Sequence, residues 1–227
     1  LLRRPEKAEQ MLKDAMAGYP DWSEPAWALA NFYLTQRKQA EAIQILKELT
    51  ARNPDNRPFQ LRLAEIYVAS NQSDKAKEIV RALLEQNRND PEAHYLQGRL
   101  LLVENNHDGA AEEFDKAVQL NRMLAPAFRE KAMLHLLKMQ FYEARSALNE
   151  ALRINPEDLS SRAALAKVLV LMGKADDALQ EAASVLNRRP DDRDALSARG
   201  EALIVSGRID EAQLDFKRLS EADPKNP

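Results

Sequence analysis

The stretches "YEARSALNEAL" (142–152) and "DEAQLDFKRL" (210–219) align with Ala144 and Ala212 in register. These alanines are 68 residues apart (212 − 144), and a step of half that length, 34 residues, meets an alanine along the whole chain. The full series is Ala8, Ala42, Ala76, Ala110, Ala144, Ala178 and Ala212. One residue type at one fixed step, without a gap, indicates a chain built of tandem repeats.

Two further features keep the step of 34 residues. A small residue stands twelve positions before each alanine of the series from Ala42 onward, and a proline stands twelve positions after most of them. Since proline ends helices, and small residues let two helices approach closely, each repeat is predicted to be a pair of antiparallel helices. The small residues are Ala30, Ala64, Gly98, Ala132, Ala166 and Gly200, and the prolines are Pro20, Pro54, Pro156, Pro190 and Pro224.

The composition supports helices and excludes several classes of function. Of the 227 residues, 44% are hydrophobic and 30% are charged, and no cysteine is present to form a disulfide or a thiolate metal site. The net charge of −3 comes from 33 basic and 36 acidic residues, so the basic field that nucleic-acid binding requires is missing. No apolar run approaches the roughly 18 residues that span a bilayer, so no direct membrane insertion is expected.

The period divides the chain into one incomplete repeat and six full ones, which we expect to form one continuous solenoid. The opening stretch "LLRRPEKAEQMLKDAMAGYPDW" (1–22) fits the second helix of a repeat whose first helix is absent, which predicts a fragment of a longer protein. Leu1, Leu2 and Leu12 would then lack their cover, and this open N-terminal edge is a candidate surface for self-association. The predicted units are 1–22, 23–56, 57–90, 91–124, 125–158, 159–192 and 193–227.

The unit "PEAHYLQGRLLLVENNHDGAAEEFDKAVQLNRML" (91–124) resembles the tetratricopeptide repeat (TPR) family. It carries that family's signature types at Gly98, Leu101, Ala110, Phe114 and Ala117. The resemblance implies an all-α fold, a right-handed superhelical α-solenoid of helix pairs whose first helices line a concave groove. The sequence departs from the family at the usual tryptophan position, where it has Ala26, Gln60, His94, Phe128, Arg162 and Leu196.

The resemblance also implies which residues face a ligand in the groove. Among them, Trp27 and Tyr95 are aromatic anchors, and a positive stripe of two arginines and a lysine suits an acidic or carboxylate-bearing segment. Glu65, Glu130 and Glu201 lie close enough in the repeat to neutralise much of that stripe. The candidate groove residues are Trp27, Asn31, Glu65, Tyr95, Arg99, Arg129, Met133 and Lys167.

The sequence predicts no catalytic residue, no metal site and no cofactor. His94, His107 and His135 do not stand at the spacing of a zinc-binding helix, and the chain has no Gly-rich phosphate loop and no nucleophile motif. We expect His94 and His135 to pack in the core and His107 to lie exposed in a turn.

The main hypothesis is a non-enzymatic interaction scaffold that binds a segment of a partner protein between Trp27 and Lys167. Two alternatives stay open. One is an assembly array of a bacterial envelope or exopolysaccharide-secretion system, and the other is a regulatory arm of an enzyme whose catalytic domain lies outside these residues. The sequence does not choose between the bacterial periplasm or envelope and the cytoplasm.

Overall fold

A computed structural model describes residues 5–222, which contain thirteen α-helices and no strand. This confirms the predicted all-α class. The helices are α1 (Pro5–Gly18), α2 (Ser23–Thr35), α3 (Gln39–Arg52), α4 (Arg57–Ala69), α5 (Ser73–Gln86), α6 (Pro91–Val103), α7 (His107–Leu120), α8 (Ala125–Leu137), α9 (Phe141–Ile154), α10 (Leu159–Leu171), α11 (Ala175–Leu186), α12 (Arg193–Val205) and α13 (Ile209–Ala222).

The helix bounds keep the 34-residue step. From α2 onward each even-numbered helix begins 34 residues after the one before it, and so does each odd-numbered helix from α3 onward. Each even-numbered helix is 13 residues long. The exception is the end of α11, which is two residues shorter than its counterparts. The even-numbered helices are the first helices of the proposed repeats, and the division into units at 23, 57, 91, 125, 159 and 193 stays our proposal.

The chain forms two compact units, unit 1 (Leu1–Glu113) and unit 2 (Phe114–Pro227). Within unit 1, each helix from α1 to α6 packs on the next one along the chain, and α4 also packs on α6. Within unit 2, each helix from α8 to α13 packs on the next one, and α10 also packs on α12. Each unit therefore has pairs of antiparallel helices in which neighbouring first helices touch. In the described part of the chain, no helix is both long and apolar enough to cross a membrane.

The periodic alanines lie at the tightest points of this packing. From Ala42 to Ala212 their exposed fraction is at most 1%, whereas Ala8 in α1 is half-buried. A methyl group is the largest side chain that such a crossing admits without repacking. The burial explains why alanine recurs at this position.

The volume at the crossing is shared between the two helices of a pair. Sixteen residues after the small residue of the first helix comes its counterpart on the second helix. A Cβ atom added to Gly200 would lie 2.7 Å from Cζ of Phe216. In the pair α8–α9, Ala132 and Leu148 belong to one buried cluster. Glycine thus accompanies phenylalanine, and alanine accompanies leucine.

We expect Gly200→Ala to lower the free energy of unfolding by up to about 2 kcal/mol. Overpacking costs about 1–3 kcal/mol, and the better helix propensity of alanine offsets about 1 kcal/mol of it. Chemical denaturation measures the loss. The control combines Gly200→Ala with Phe216→Leu, which reproduces the combination at Ala132 and Leu148, and there the added methyl group should cost nothing. An equal cost in both backgrounds would show that the Phe216 ring is not its cause.

The turn inside each helix pair has the same backbone shape throughout. One residue per turn has a positive φ, between 56° and 73°, and these residues again stand 34 apart. Glycine adopts this conformation without strain, whereas in other residues it costs about 1–2 kcal/mol. Arg37 and Met139 adopt it nonetheless, so the packing of the flanking helices dictates the turn. The six residues are Arg37, Asn71, Asn105, Met139, Gly173 and Gly207.

Polar side chains replace the family's tryptophan in three repeats and bind the preceding loop. Gln60 Nε2 donates to the Pro54 carbonyl at 2.6 Å, and Arg162 Nη2 donates to the Pro156 carbonyl at 3.0 Å. Both carbonyls lie six residues before the side chain that binds them. These bonds tie the start of a first helix to the loop before it.

His94 occupies the same position and lies 2.9 Å from the Arg88 carbonyl through Nε2. Its Nδ1 lies 2.6 Å from Glu113 Oε2. His94 is therefore partly buried, as expected for packing, but its partners are polar. His135 Nδ1 lies 2.8 Å from Gln140 Oε1, and His107 is exposed at the start of α7.

Four first helices begin with a side-chain cap that the sequence analysis did not anticipate. Each cap accepts a hydrogen bond from a backbone N–H of the first turn, which satisfies a donor that the helix leaves free. The sequence signal is an Asn or Asp directly before the helix, again in phase with the repeat. The caps are Asn56, Asp90, Asp158 and Asp192.

Asp90 differs from the other caps in its burial and its partners. Its side chain is 1% exposed and accepts from the Ala93 N–H at 2.9 Å. Arg57 also donates to both of its oxygens, from Nε at 2.6 Å and from Nη2 at 2.7 Å. The carboxylate thus joins the starts of α4 and α6.

The predicted open N-terminal edge is only partly described. Leu1 and Leu2 lie outside the described residues. Leu12 is not left open, because it packs against the cluster of Leu29, Tyr33 and Ala42. Self-association through this edge stays a prediction.

Candidate functional site

The eight candidate groove residues all lie on first helices, but in different units. Unit 1 holds five of them, on α2, α4 and α6, and unit 2 holds the other three, on α8 and α10. The two sets are therefore treated separately. The first set is Trp27, Asn31, Glu65, Tyr95 and Arg99, and the second is Arg129, Met133 and Lys167.

In unit 1, the first three candidates belong to a network with their neighbours. The Trp27 ring lies 5.3 Å from the Phe59 ring, and the Trp27 carbonyl accepts from Asn31 Nδ2 at 2.9 Å. Arg62 donates to Asn31 Oδ1 at 3.1 Å and to Glu65 Oε2 at 2.9 Å. Arg62 was not among the predicted residues. Because these polar groups already bind one another, they hold the shape of this face more than they offer open donors.

Tyr95 and Arg99 form a second pair in unit 1. The Tyr95 side chain is 7% exposed, and the Arg99 guanidinium carbon lies 6.0 Å from the centre of its ring. A cation at this distance from an aromatic face is attracted to it. Tyr95 is thus a buried ring beneath a cation rather than an open anchor. Arg99 forms no ion pair with a carboxylate in residues 5–222.

In unit 2, the structure brings all three candidates together around one cavity. Arg129, Met133 and Lys167 line a space of about 310 Å³ between α8, α10 and α12. Met133 is 41% exposed and provides apolar surface that is open to a ligand. The other lining residues are Leu136, Ser160, Ala163, Ala164, Asp194 and Ser197.

Arg129 at this cavity is already paired. Its Nη1 donates to Asp158 Oδ2 at 2.8 Å, and Asp158 also accepts from Ser161 Oγ at 2.6 Å and from the Ser160 N–H at 3.1 Å. Burial opposes the charge on Asp158, but the hydrogen bond from Ser161 and the nearby Arg129 hold the pKa of that carboxyl below its usual value of 3.8. Near neutral pH, Asp158 is therefore an anion that occupies Arg129.

Lys167 is paired in a similar way. Its Nζ lies 2.5 and 2.6 Å from the two carboxylate oxygens of Glu201. Ser197 Oγ donates to the same carboxylate at 3.1 Å, so Glu201 is bound from two directions. This pair is the neutralisation that the sequence suggested for the positive stripe.

Asp194 is the exception among the charged residues of the cavity. It lies exposed in the first turn of α12 and has no side-chain hydrogen bond or ion pair to any other described residue. The sequence analysis did not select it, because an acidic residue in a first turn is usual for helix stability.

Other cavities do not gather the predicted residues. A space of about 340 Å³ lies beside Met16 and Trp22, and one of about 640 Å³ lies beside Arg199 and Asp215. Across residues 5–222, no group of three or more His, Cys, Asp or Glu side chains is arranged to hold a metal ion.

A family model described as tetratricopeptide repeat matches the chain over residues 2–57, 34–100, 135–202 and 169–227. Together these ranges cover 2–100 and 135–227, which is well over half of the chain. No curated protein sequence matches it.

Several solved structures share the fold. A tetratricopeptide repeat protein from Parabacteroides merdae is 23% identical with a TM-score of 0.65, over 96% of this chain and 87% of that one. A thermophilic TPR protein from Thermus thermophilus is 18% identical with a TM-score of 0.68, over 81% and 100%. YrrB, described as a TPR protein with an unusual peptide-binding site, is 19% identical with a TM-score of 0.59, over 80% and 93%. At these identities the likeness establishes the fold class, an all-α TPR-like solenoid.

Proposed function

Because the chain belongs to the tetratricopeptide repeat family, we propose that it is a non-enzymatic scaffold that binds a segment of a partner protein on its first helices. The TPR fold is generally a protein–protein interaction scaffold, and one structural relative is described by its peptide-binding site. The observation that carries the proposal is the cavity of unit 2, where Arg129, Met133 and Lys167 meet.

The cavity has the composition of a site for a side chain of a bound segment. Met133 and Leu136 on α8 and Ala163 and Ala164 on α10 supply apolar surface, and polar groups surround it. Its volume of about 310 Å³ is at the lower end of the range for ligand sites, which suits one or two side chains rather than a large cofactor. The five candidates of unit 1 stay proposed contacts, and their mutual bonds assign them a supporting role.

The experiment is a selection of peptides from a random phage-displayed library on the purified protein, followed by affinity measurements on Met133→Glu. We expect the variant to weaken the selected peptides about tenfold or more, because Met133 would bury its side chain on binding and a carboxylate would not. The matched control is Met123→Glu, since Met123 is a methionine of unit 2 that is 62% exposed and does not line the cavity.

Two results would count against the proposal. One is that no peptide is selected at all. The other is that the selected peptides bind the two glutamate variants equally well. Circular dichroism of both variants shows whether each remains folded, so that a loss of binding by Met133→Glu is not mistaken for a loss of structure.

A further inference from the structure

We infer that the cavity of unit 2 receives an aliphatic side chain flanked by cationic groups, so that the bound segment is basic rather than acidic. The inference rests on the proposed function, because it requires the cavity to be a binding site. It concerns the charge of the ligand, which the family alone does not determine.

The first step is that both cations of the cavity are committed. Arg129 binds Asp158 and Lys167 binds Glu201, each at 2.8 Å or less. A carboxylate on an incoming segment would have to displace one of these acids. The displaced Asp158 would remain largely buried, with a side chain only 15% exposed, and leaving a buried charge without its partner is costly. An acidic segment therefore competes with the protein's own carboxylates.

The second step is the charge that remains. The two ion pairs cancel, and Asp194 adds one negative charge that no described residue neutralises. A lysine or arginine on the ligand can approach Asp194 without breaking an existing bond. Complementary charge of this kind favours one ligand over another and speeds association.

The third step is the apolar surface beside Asp194. Ala163 and Ala164 leave room because their side chains are short, while Met133 and Leu136 provide the wall. An aliphatic side chain such as leucine can fill this space, and its cationic neighbours in sequence then lie at the polar rim. The ligand class that fits is a short segment in which basic residues flank leucine-like ones.

The test measures fluorescence anisotropy with two labelled peptides, each with a central Leu-Leu pair. In one peptide the pair is flanked by two lysines on each side, and in the other by two glutamates on each side. We expect the lysine peptide to bind more tightly. Asp194→Asn should weaken it about two- to fivefold at low salt, the size typical of one exposed charge pair, and high salt should remove the difference.

The matched control is Asp210→Asn. Asp210 is the second residue of α13 as Asp194 is the second residue of α12, and it does not line the cavity. It removes the same charge from the protein, so it shows whether the lysine peptide responds to the cavity or only to the net charge.

The outcomes separate the inference from the proposed function. Tighter binding of the glutamate peptide, or equal effects of Asp194→Asn and Asp210→Asn, would overturn the inference. Peptides from the library that still depend on Met133 would then leave the proposed function standing. If neither designed peptide binds and the library yields no Met133-dependent peptide, both fail together.

Discussion

Replacing Asp90 by alanine is expected to lower the free energy of unfolding by about 2–4 kcal/mol. The substitution removes the cap of α6, which is worth about 1 kcal/mol, and the charge-assisted bonds from Arg57, which are worth about 1.5–3 kcal/mol. Asp90 is almost fully buried, so water replaces these bonds poorly. Chemical denaturation followed by circular dichroism measures the loss.

Asp192→Ala is the matched control for this prediction. Asp192 also caps its helix, through the Ala195 N–H, but its only ion pair in the described chain is with Arg189 at 3.9 Å. We expect its replacement to cost about 1 kcal/mol, the usual value of a cap. If both variants lost the same stability, the contribution that we assign to Arg57 would be absent.

The same carboxylate links stability to pH. Burial raises the pKa of Asp90, but the hydrogen bonds from Arg57 and the Ala93 N–H outweigh it and hold that pKa below the usual 3.8. A lowered pKa in the folded state means that the stabilisation is complete above about pH 4 and is lost as pH falls through the folded value. Asp90→Asn should therefore show a shallower loss of stability below pH 4 than the unmodified chain. Parallel acid titrations with equal slopes would contradict this.

Ala144→Leu is expected to lower the free energy of unfolding by about 1–3 kcal/mol. Ala144 is fully buried in a cluster with Leu148, Val168 and Ala178, and the crossing has no room for three more carbon atoms. Thermal melting measures the effect. Ser146→Leu is the control, because Ser146 is exposed on the same helix and gains the same side chain without overpacking. Equal melting temperatures for the two variants would show that the proposed register is wrong.

Much of the fold could be predicted because one physical constraint repeats. Ala144 and its counterparts recur every 34 residues because each marks a close helix crossing, and the prolines between them mark where helices end. The exception, the early end of α11 at Leu186, has no such marker. Its last residues depend on the local balance of hydrogen bonds at a helix end, where bounds are least certain from sequence.

The candidate site was less predictable, because the period indicates a face of a helix but no particular partner. It selected Arg129 and Lys167 as groove residues. Their acids, Asp158 and Glu201, lie 29 and 34 residues further on. Which acid a long side chain reaches depends on its rotamer and on the neighbouring first helix, neither of which follows a strict repeat. Asp90 could have been found from the periodic caps, but its bond to Arg57 could not.

The constant phase of the helix bounds and of the left-handed turn residues also bears on how such a chain can change in length. A gene segment of 34 codons, copied or deleted anywhere between α2 and α13, rejoins the protein at the equivalent backbone position, whether the break falls in a helix or a turn. Each new repeat needs contacts only with its neighbours. Recombination between the repeats can therefore lengthen or shorten the protein by whole hairpins while the others keep their packing.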